Sequence, residues 1–144
     1  MSKLALRTGD DFPEAAKKHL DDAILLLNEG RGDNAAYLAG YVVECTLKTL
    51  ILLEQGHAWG HDLDQLSQKA QELAALPGAR TARYASTETP GHSIYHYGAG
   101  GWKETLRYLA TGSILLSRAA DWVVEAERVY LNVIGNLWLD GELS

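Results

Sequence analysis

A chain of 144 residues, 47% hydrophobic and 22% charged, has the size and mix of one soluble globular domain able to bury about two-thirds of its unfolded surface. Disorder and fibrous repeats are excluded. The single cysteine, Cys45, excludes an intrachain disulfide framework and a cysteine-rich zinc site, and suits a reducing cytoplasm.

The net charge of −6 counts against a uniformly basic nucleic-acid binder, because affinity for phosphate comes from clustered Lys and Arg. The charge is uneven, however. Residues 80–118 hold Arg80, Arg83, Lys103, Arg107 and Arg118 against Glu88 and Glu104, a local excess of +3. A basic segment on an acidic body is a candidate anion-binding face. The first dozen residues mix Lys3, Arg7, Asp10 and Asp11 without an apolar run behind them, so no signal peptide is expected.

In chain order, the first predicted helix begins at Asp11. Its carboxylate can accept the amide of Glu14 while Glu14 reaches back, and Pro13 is harmless in the first turn. Ala16, Leu20, Ala23, Ile24 and Leu27 recur at three and four and make one buried stripe. Gly30 ends the helix at a left-handed cap. The second helix starts after Gly32 with Asp33 as N-cap and stops at Gly56. Its seam is Ala36, Gly40, Val43, Leu47 and Leu50, and its first half is rich in small residues that let a partner helix approach closely. The apolar run at 37–53 contains Glu44 and Lys48, which a lipid-spanning helix tolerates badly, so it reads as a core helix and no membrane contact is expected. The short connection makes the first two helices antiparallel.

A third helix opens at Asp62, with Gln65 placed for a capping box, and carries Leu63, Leu66, Ala70 and Leu73 before Pro77 and Gly78 break it. Residues 79–101 show no helical period and exceed the usual loop length. Residues 102–108 are a short apolar-aromatic segment of undefined conformation. From about Ser113 a long helix runs towards Trp138, with Leu115, Ala119, Trp122, Ala126, Val129 and Val133 as its inner stripe. The expected fold is therefore all-α, an up-and-down bundle of four to five helices spanning residues 1–144 as one domain.

The order Asn34-Ala-Ala-Tyr-Leu-Ala-Gly-Tyr-Val-Val-Glu44-Cys-Thr-Leu-Lys48, then Gly56, then Gly60-His61-Asp62-Leu63, resembles the signature of the HEPN family (higher eukaryotes and prokaryotes nucleotide-binding). The later Trp102-x4-Arg107-Tyr108 is similar to a Trp/Arg-Tyr segment in several members. Together these cover roughly residues 12–130. The resemblance implies a helical bundle, commonly a two-fold homodimer, that handles nucleotides or RNA. It also implies a small nucleotidyltransferase as frequent partner and a toxin–antitoxin or defence-like context.

Family members that cleave RNA carry Arg, four to six residues, then His on the last helix. The His supplies an acid or base near neutrality and the Arg a fixed cation for the phosphate. None of Arg7, Arg31, Arg80, Arg83, Arg107, Arg118 or Arg128 has a histidine at those offsets. A non-catalytic binding module is the expected function. The alternative is a divergent ribonuclease or hydrolase using His92 or His96 with a distant arginine, and a third possibility is a structural subunit covering a nucleotidyltransferase.

Other constellations divide between a ligand role and a structural one. Glu44 and Lys48, four apart, are an ion pair on one helical face, either anchoring the helix or offering a perturbed carboxylate; the structural role is favoured. His57/His61 and His92/His96 have metal-ligand spacing, but neither pair sits on a helix, so no metal and no cofactor is expected. His61 and Asp62 are read as shaping the start of the third helix. The ligand candidates are Arg80, Arg83, Trp102, Lys103, Arg107 and Tyr108, with Tyr84, Tyr95 and Tyr97 as possible stacking partners. The bland reading has those tyrosines covering the bundle's open end and the arginines solvated.

Overall fold

The computed structural model describes residues 1–85 and 100–144. Among these residues every regular element is helical: α1 Phe12–Asn28, α2 Gly32–Gln55, α3 Leu63–Ala74, a 3-10 segment Glu104–Tyr108, and α4 Leu116–Tyr130. A π-helical turn, Leu131–Gly135, carries α4 without a break into the short α5, Asn136–Leu139. The expected all-α bundle is what the chain forms.

Helix α1 starts where its cap dictates. Asp11 accepts the Glu14 amide at 3.4 Å and also takes the Ser2 amide at 2.6 Å and the Ser2 hydroxyl at 2.7 Å. Burial works to raise the Asp11 pKa, but these hydrogen bonds together hold it below the ordinary value of 3.8. The Glu14 carboxylate lies 3.5 Å from the chain's first amino group, rather than completing a capping box. Gly30 takes the left-handed conformation at φ +75°, and the chain reverses into α2. Phe12 lies against Lys48 and His19 against Tyr41, so the start of α1 meets the end of α2 and the two helices are antiparallel.

Helix α2 is the axis of the bundle, touching α1, α3, α4 and the 3-10 segment. By length and composition it could cross a membrane, yet 78% of its apolar window is buried inside the protein. Its seam residues Ala36, Gly40, Val43, Leu47 and Leu50 are all buried. Two kinds of neighbour use the small residues. At Gly32 helix α4 comes close, with Leu116 and Ala119 at 3.3 to 3.5 Å from where a Cβ would stand. At Gly40 the neighbour is a ring: a Cβ there would lie 2.0 Å from Cε2 and Nε1 of Trp102. The close approach expected of a partner helix is thus shared between α4 and the Trp102 indole.

Two expectations are corrected. The N-cap of α2 is Arg31, and Asp33 sits inside the first turn. Its carboxylate accepts the amides of Gly112 at 2.8 Å and Ile114 at 3.0 Å, contacts that bring the approach to α4 onto the start of α2. Those bonds hold the Asp33 pKa below its ordinary value, the Gly112 amide contributing most. Replacing Asp33 with alanine is expected to cost about 1 kcal/mol, the worth of a part-exposed charge-assisted pair of hydrogen bonds. Hydrogen exchange at the Gly112 and Ile114 amides should rise; unchanged protection there would remove the role. The second correction is Leu115, which is 72% exposed: it precedes α4 as its N-cap, so the helical period that fixes Ala119, Trp122, Ala126, Val129 and Val133 inward does not extend to it.

Candidate functional site

The Tyr37, Tyr41, Glu44 and Lys48 side chains recur at four, three and four along α2, which puts them on one helical face. That face carries the polar groups of an otherwise apolar helix. Tyr41 is its hub. The Tyr41 ring meets Tyr37 and Trp102 edge-on at 5.1 Å each, His19 of α1 at 5.7 Å and His61 at 6.4 Å. Burial and the hydrogen bond from the Tyr37 hydroxyl, 3.3 Å away, raise the Tyr41 pKa well above the usual phenol range, so it stays a neutral phenol near neutral pH.

At the lower end of the face, Glu44 is 3% exposed and Lys48 7%. Glu44 Oε1 accepts from Lys48 Nζ at 2.7 Å and faces His61 Nδ1 at 2.9 Å. The other oxygen, Oε2, is buried and has no hydrogen-bond partner among the described residues. His61 therefore ties the connection before α3 to the middle of α2, while Asp62 caps α3 by accepting the Gln65 amide at 3.2 Å. The Glu44–Lys48 pair is buried within the bundle and braces α2 along one face.

His19 is half-buried beside this cluster. Desolvation, reinforced by the Lys18 charge and opposed by Asp22 and Glu44, lowers its pKa below 6.5. The sign follows directly. The unfolded chain takes up this proton at higher pH than the folded one, so folding is weakened as pH falls through 6.5 and the loss levels off below the lowered folded value. Urea midpoints of the native chain should fall between about pH 7.5 and 5.5 by more than those of His19→Gln. Equal slopes would dismiss the histidine as their source.

At the upper end stands the 3-10 segment. Trp102 is fully buried and its Nε1 donates to the Tyr37 carbonyl at 2.9 Å. The indole is a rivet in the core, which corrects its assignment to the ligand-contacting set: a ring with no exposed surface cannot stack on a ligand. Beyond it, Lys103, Arg107 and Tyr108 are exposed. The Arg107 guanidinium lies 4.9 Å from the centre of the Tyr108 ring, and hydrogen bonds with Tyr37 and then Tyr108 raise its pKa further. Neither Lys103 nor Arg107 has an acidic partner among the described residues.

Arg80 and Arg83 do not join them. Arg80 pairs with Glu142 at 2.6 Å and Arg83 with Asp140 at 3.3 Å, beside the Tyr84 hydroxyl bond to Asp140 at 2.6 Å. The intervening Thr81 amide donates to Glu54. Tyr37 and Glu54 are seventeen residues apart on α2, about 25 Å along its axis, so the two basic groups occupy opposite ends of the bundle. Arg118 is engaged too, with the Gly100 carbonyl and the Trp122 ring. His57 stacks on Trp59 while His61 turns to Glu44, so the two rings serve different neighbours. Among the described residues no group of three His, Cys, Asp or Glu could hold a metal ion. His92, His96, Tyr95 and Tyr97 lie outside the described residues.

The residues missed by sequence reasoning are Tyr37, Tyr41 and His19. The available signal was the Tyr-x3-Tyr-x2-Glu-x3-Lys spacing, one polar-tipped face of a helix.

Comparison with known proteins adds one positive finding. No curated protein and no solved structure matches the chain. The HEPN domain model matches residues 10–88, more than half of the chain, and the match contains α1, α2, α3 and the Gly-His-Asp-Leu turn. The chain belongs to the HEPN family, one of nucleotide-binding and ribonuclease-like domains.

Proposed function

We propose that this HEPN chain is a non-catalytic module that binds nucleotide or RNA phosphate through the ridge formed by Lys103, Arg107 and Tyr108. The observation that carries the reading is the mounting of Arg107. An exposed guanidinium without an acidic partner among the described residues, beside a 73% exposed tyrosine ring, stands on a segment rooted by the buried Trp102. A fixed cation next to an open ring is the arrangement that engages a phosphate and an unstacked base. The absence of the Arg-x(4–6)-His pair supports binding without cleavage.

The module acts as a homodimer in this reading. Leu116, Ala120 and Val124 on α4 and Leu131 just after it are spaced for one outward face, with Leu116, Val124 and Leu131 each at least half exposed, and such a stripe favours self-association. A nucleotidyltransferase-type partner and a toxin–antitoxin or defence-like setting complete the proposal. A cytoplasmic site of action belongs to the same proposal, and the single, buried Cys45 suits a reducing compartment.

Titration of a fluorescent single-stranded oligoribonucleotide at low and high salt tests the binding. Weak, salt-sensitive association should fall about tenfold for Arg107→Ala, the loss expected of one desolvated phosphate contact. No binding at low salt would overturn the nucleic-acid reading. Cleavage of the oligonucleotide by the purified chain, lost in His92→Ala or His96→Ala, would overturn its non-catalytic part.

A further inference from the structure

A concavity lies at the other end of α2. Its floor is Ile51 of α2 and Leu66 of α3, both almost fully buried. The loop from His57 to Gly60 closes one side, and the cavity measures about 430 Å3, within the range of small-molecule sites. Gln65 and Lys69, one helical turn apart on α3, line it as well.

The loop side is a constructed surface. Trp59 is 73% exposed, an unfavourable setting for an indole unless something covers it. It is nevertheless aligned: its ring stacks on His57 at 4.5 Å between centroids and 15° between planes. His57 is itself held, because the Gln55 side-chain amide donates to the His57 carbonyl at 3.1 Å and lies 3.4 Å from its Nδ1. Gln55 of α2 thus orients the imidazole and the imidazole orients the indole, most of whose surface is exposed. Lys69 is exposed, and no acidic partner for it is found among the described residues. Asp62, the one carboxylate at the rim among the described residues, is already engaged as the cap of α3.

A flat ring wall, an apolar floor and an ammonium without an acidic partner among the described residues are complementary to a planar aromatic ring carrying one negative charge. We propose that this cavity is a small-molecule site for a planar heteroaromatic anion, stacked on Trp59 with its charged group at Lys69. The site is separate from the ridge around Arg107. Tyr37, whose carbonyl anchors Trp102 ahead of that ridge, and Gln55 are eighteen residues apart on α2, about 27 Å along the axis.

The test follows the Trp59 indole and His57 imidazole resonances of the full chain as adenosine monophosphate, adenosine and ribose 5-phosphate are added in turn. The nucleotide should shift both signals. Adenosine should bind about fivefold to tenfold more weakly, the worth of one exposed ionic contact, and ribose 5-phosphate should shift neither. Lys69→Met should bring the nucleotide down to adenosine's affinity, and Trp59→Ala should abolish the His57 shift while leaving the thermal unfolding midpoint and oligoribonucleotide binding as they were. Arg107→Ala should leave the shifts in place, which keeps this site's fate distinct from that of the ridge. No shift at about 10 mM nucleotide, far weaker than ordinary sites, would overturn the proposal, and so would His57 shifts that survive Trp59→Ala.

Discussion

Alanine in place of Gly40 is expected to lower the unfolding free energy by about 3 kcal/mol, although on an isolated helix the same change would gain about 1 kcal/mol. The opposing effects have different sources. The gain is backbone entropy, general to any helical glycine. The loss is local: the added methyl would stand 2.0 Å from the Trp102 ring, and that ring is held by its bond to the Tyr37 carbonyl and by complete burial. A denaturant titration measures the difference, with Trp102→Ala expected to lose about 4 kcal/mol as the companion change. Both variants should also weaken oligoribonucleotide binding, since Arg107 stands on the segment that Trp102 fixes. A Gly40→Ala chain as stable as the native one would mean that the indole shifts freely, and the rigid mounting of Arg107 would go with it.

The second large effect is expected at Glu44. Its removal as Glu44→Ala leaves the Lys48 ammonium buried beside the Phe12 ring without its carboxylate, at a cost of about 3–5 kcal/mol. The paired change Glu44→Leu with Lys48→Met removes both charges and should recover most of that loss, because apolar replacements of a buried pair are often neutral. Urea midpoints of the two single variants and the double variant give the coupling. A single-variant loss under about 1 kcal/mol would show the pair to be effectively solvated. Oligoribonucleotide binding retained by the double variant would confirm the pair as a strut.

Local chemistry made much of this legible from the sequence. Asp11, Gly30, Gly56 and Asp62 mark helix ends because each satisfies backbone groups within a few residues of itself. The seam of α2 follows from periodicity alone. Asp33 shows where such reasoning stops: at the start of a helix it has every property of a cap, yet its oxygens go to amides some eighty residues away. The basic segment fails for the same reason. Arg80 and Arg107 share a sign and a stretch of sequence, but Arg80 pairs with Glu142 while Arg107 follows the Trp102 that is anchored on Tyr37, and α2 separates the two. Tyr37 and Tyr41 count as apolar in a hydrophobic pattern, which conceals that their hydroxyls build a polar face.

The strut in α2 also bears on how the chain is made. Between Ala36 and Leu53 the charged residues are Glu44 and Lys48 alone, and Glu44 stands at the middle of that stretch. A nascent chain carries this stretch before α3 and α4 have been made to cover it, and without the two charges it would be a good substrate for insertion into a bilayer. Charge at the centre of a spanning helix costs about 3 kcal/mol per residue on the insertion scale. The same two side chains that brace the folded bundle from within thereby raise the cost of placing the most lipid-like segment of the chain in lipid.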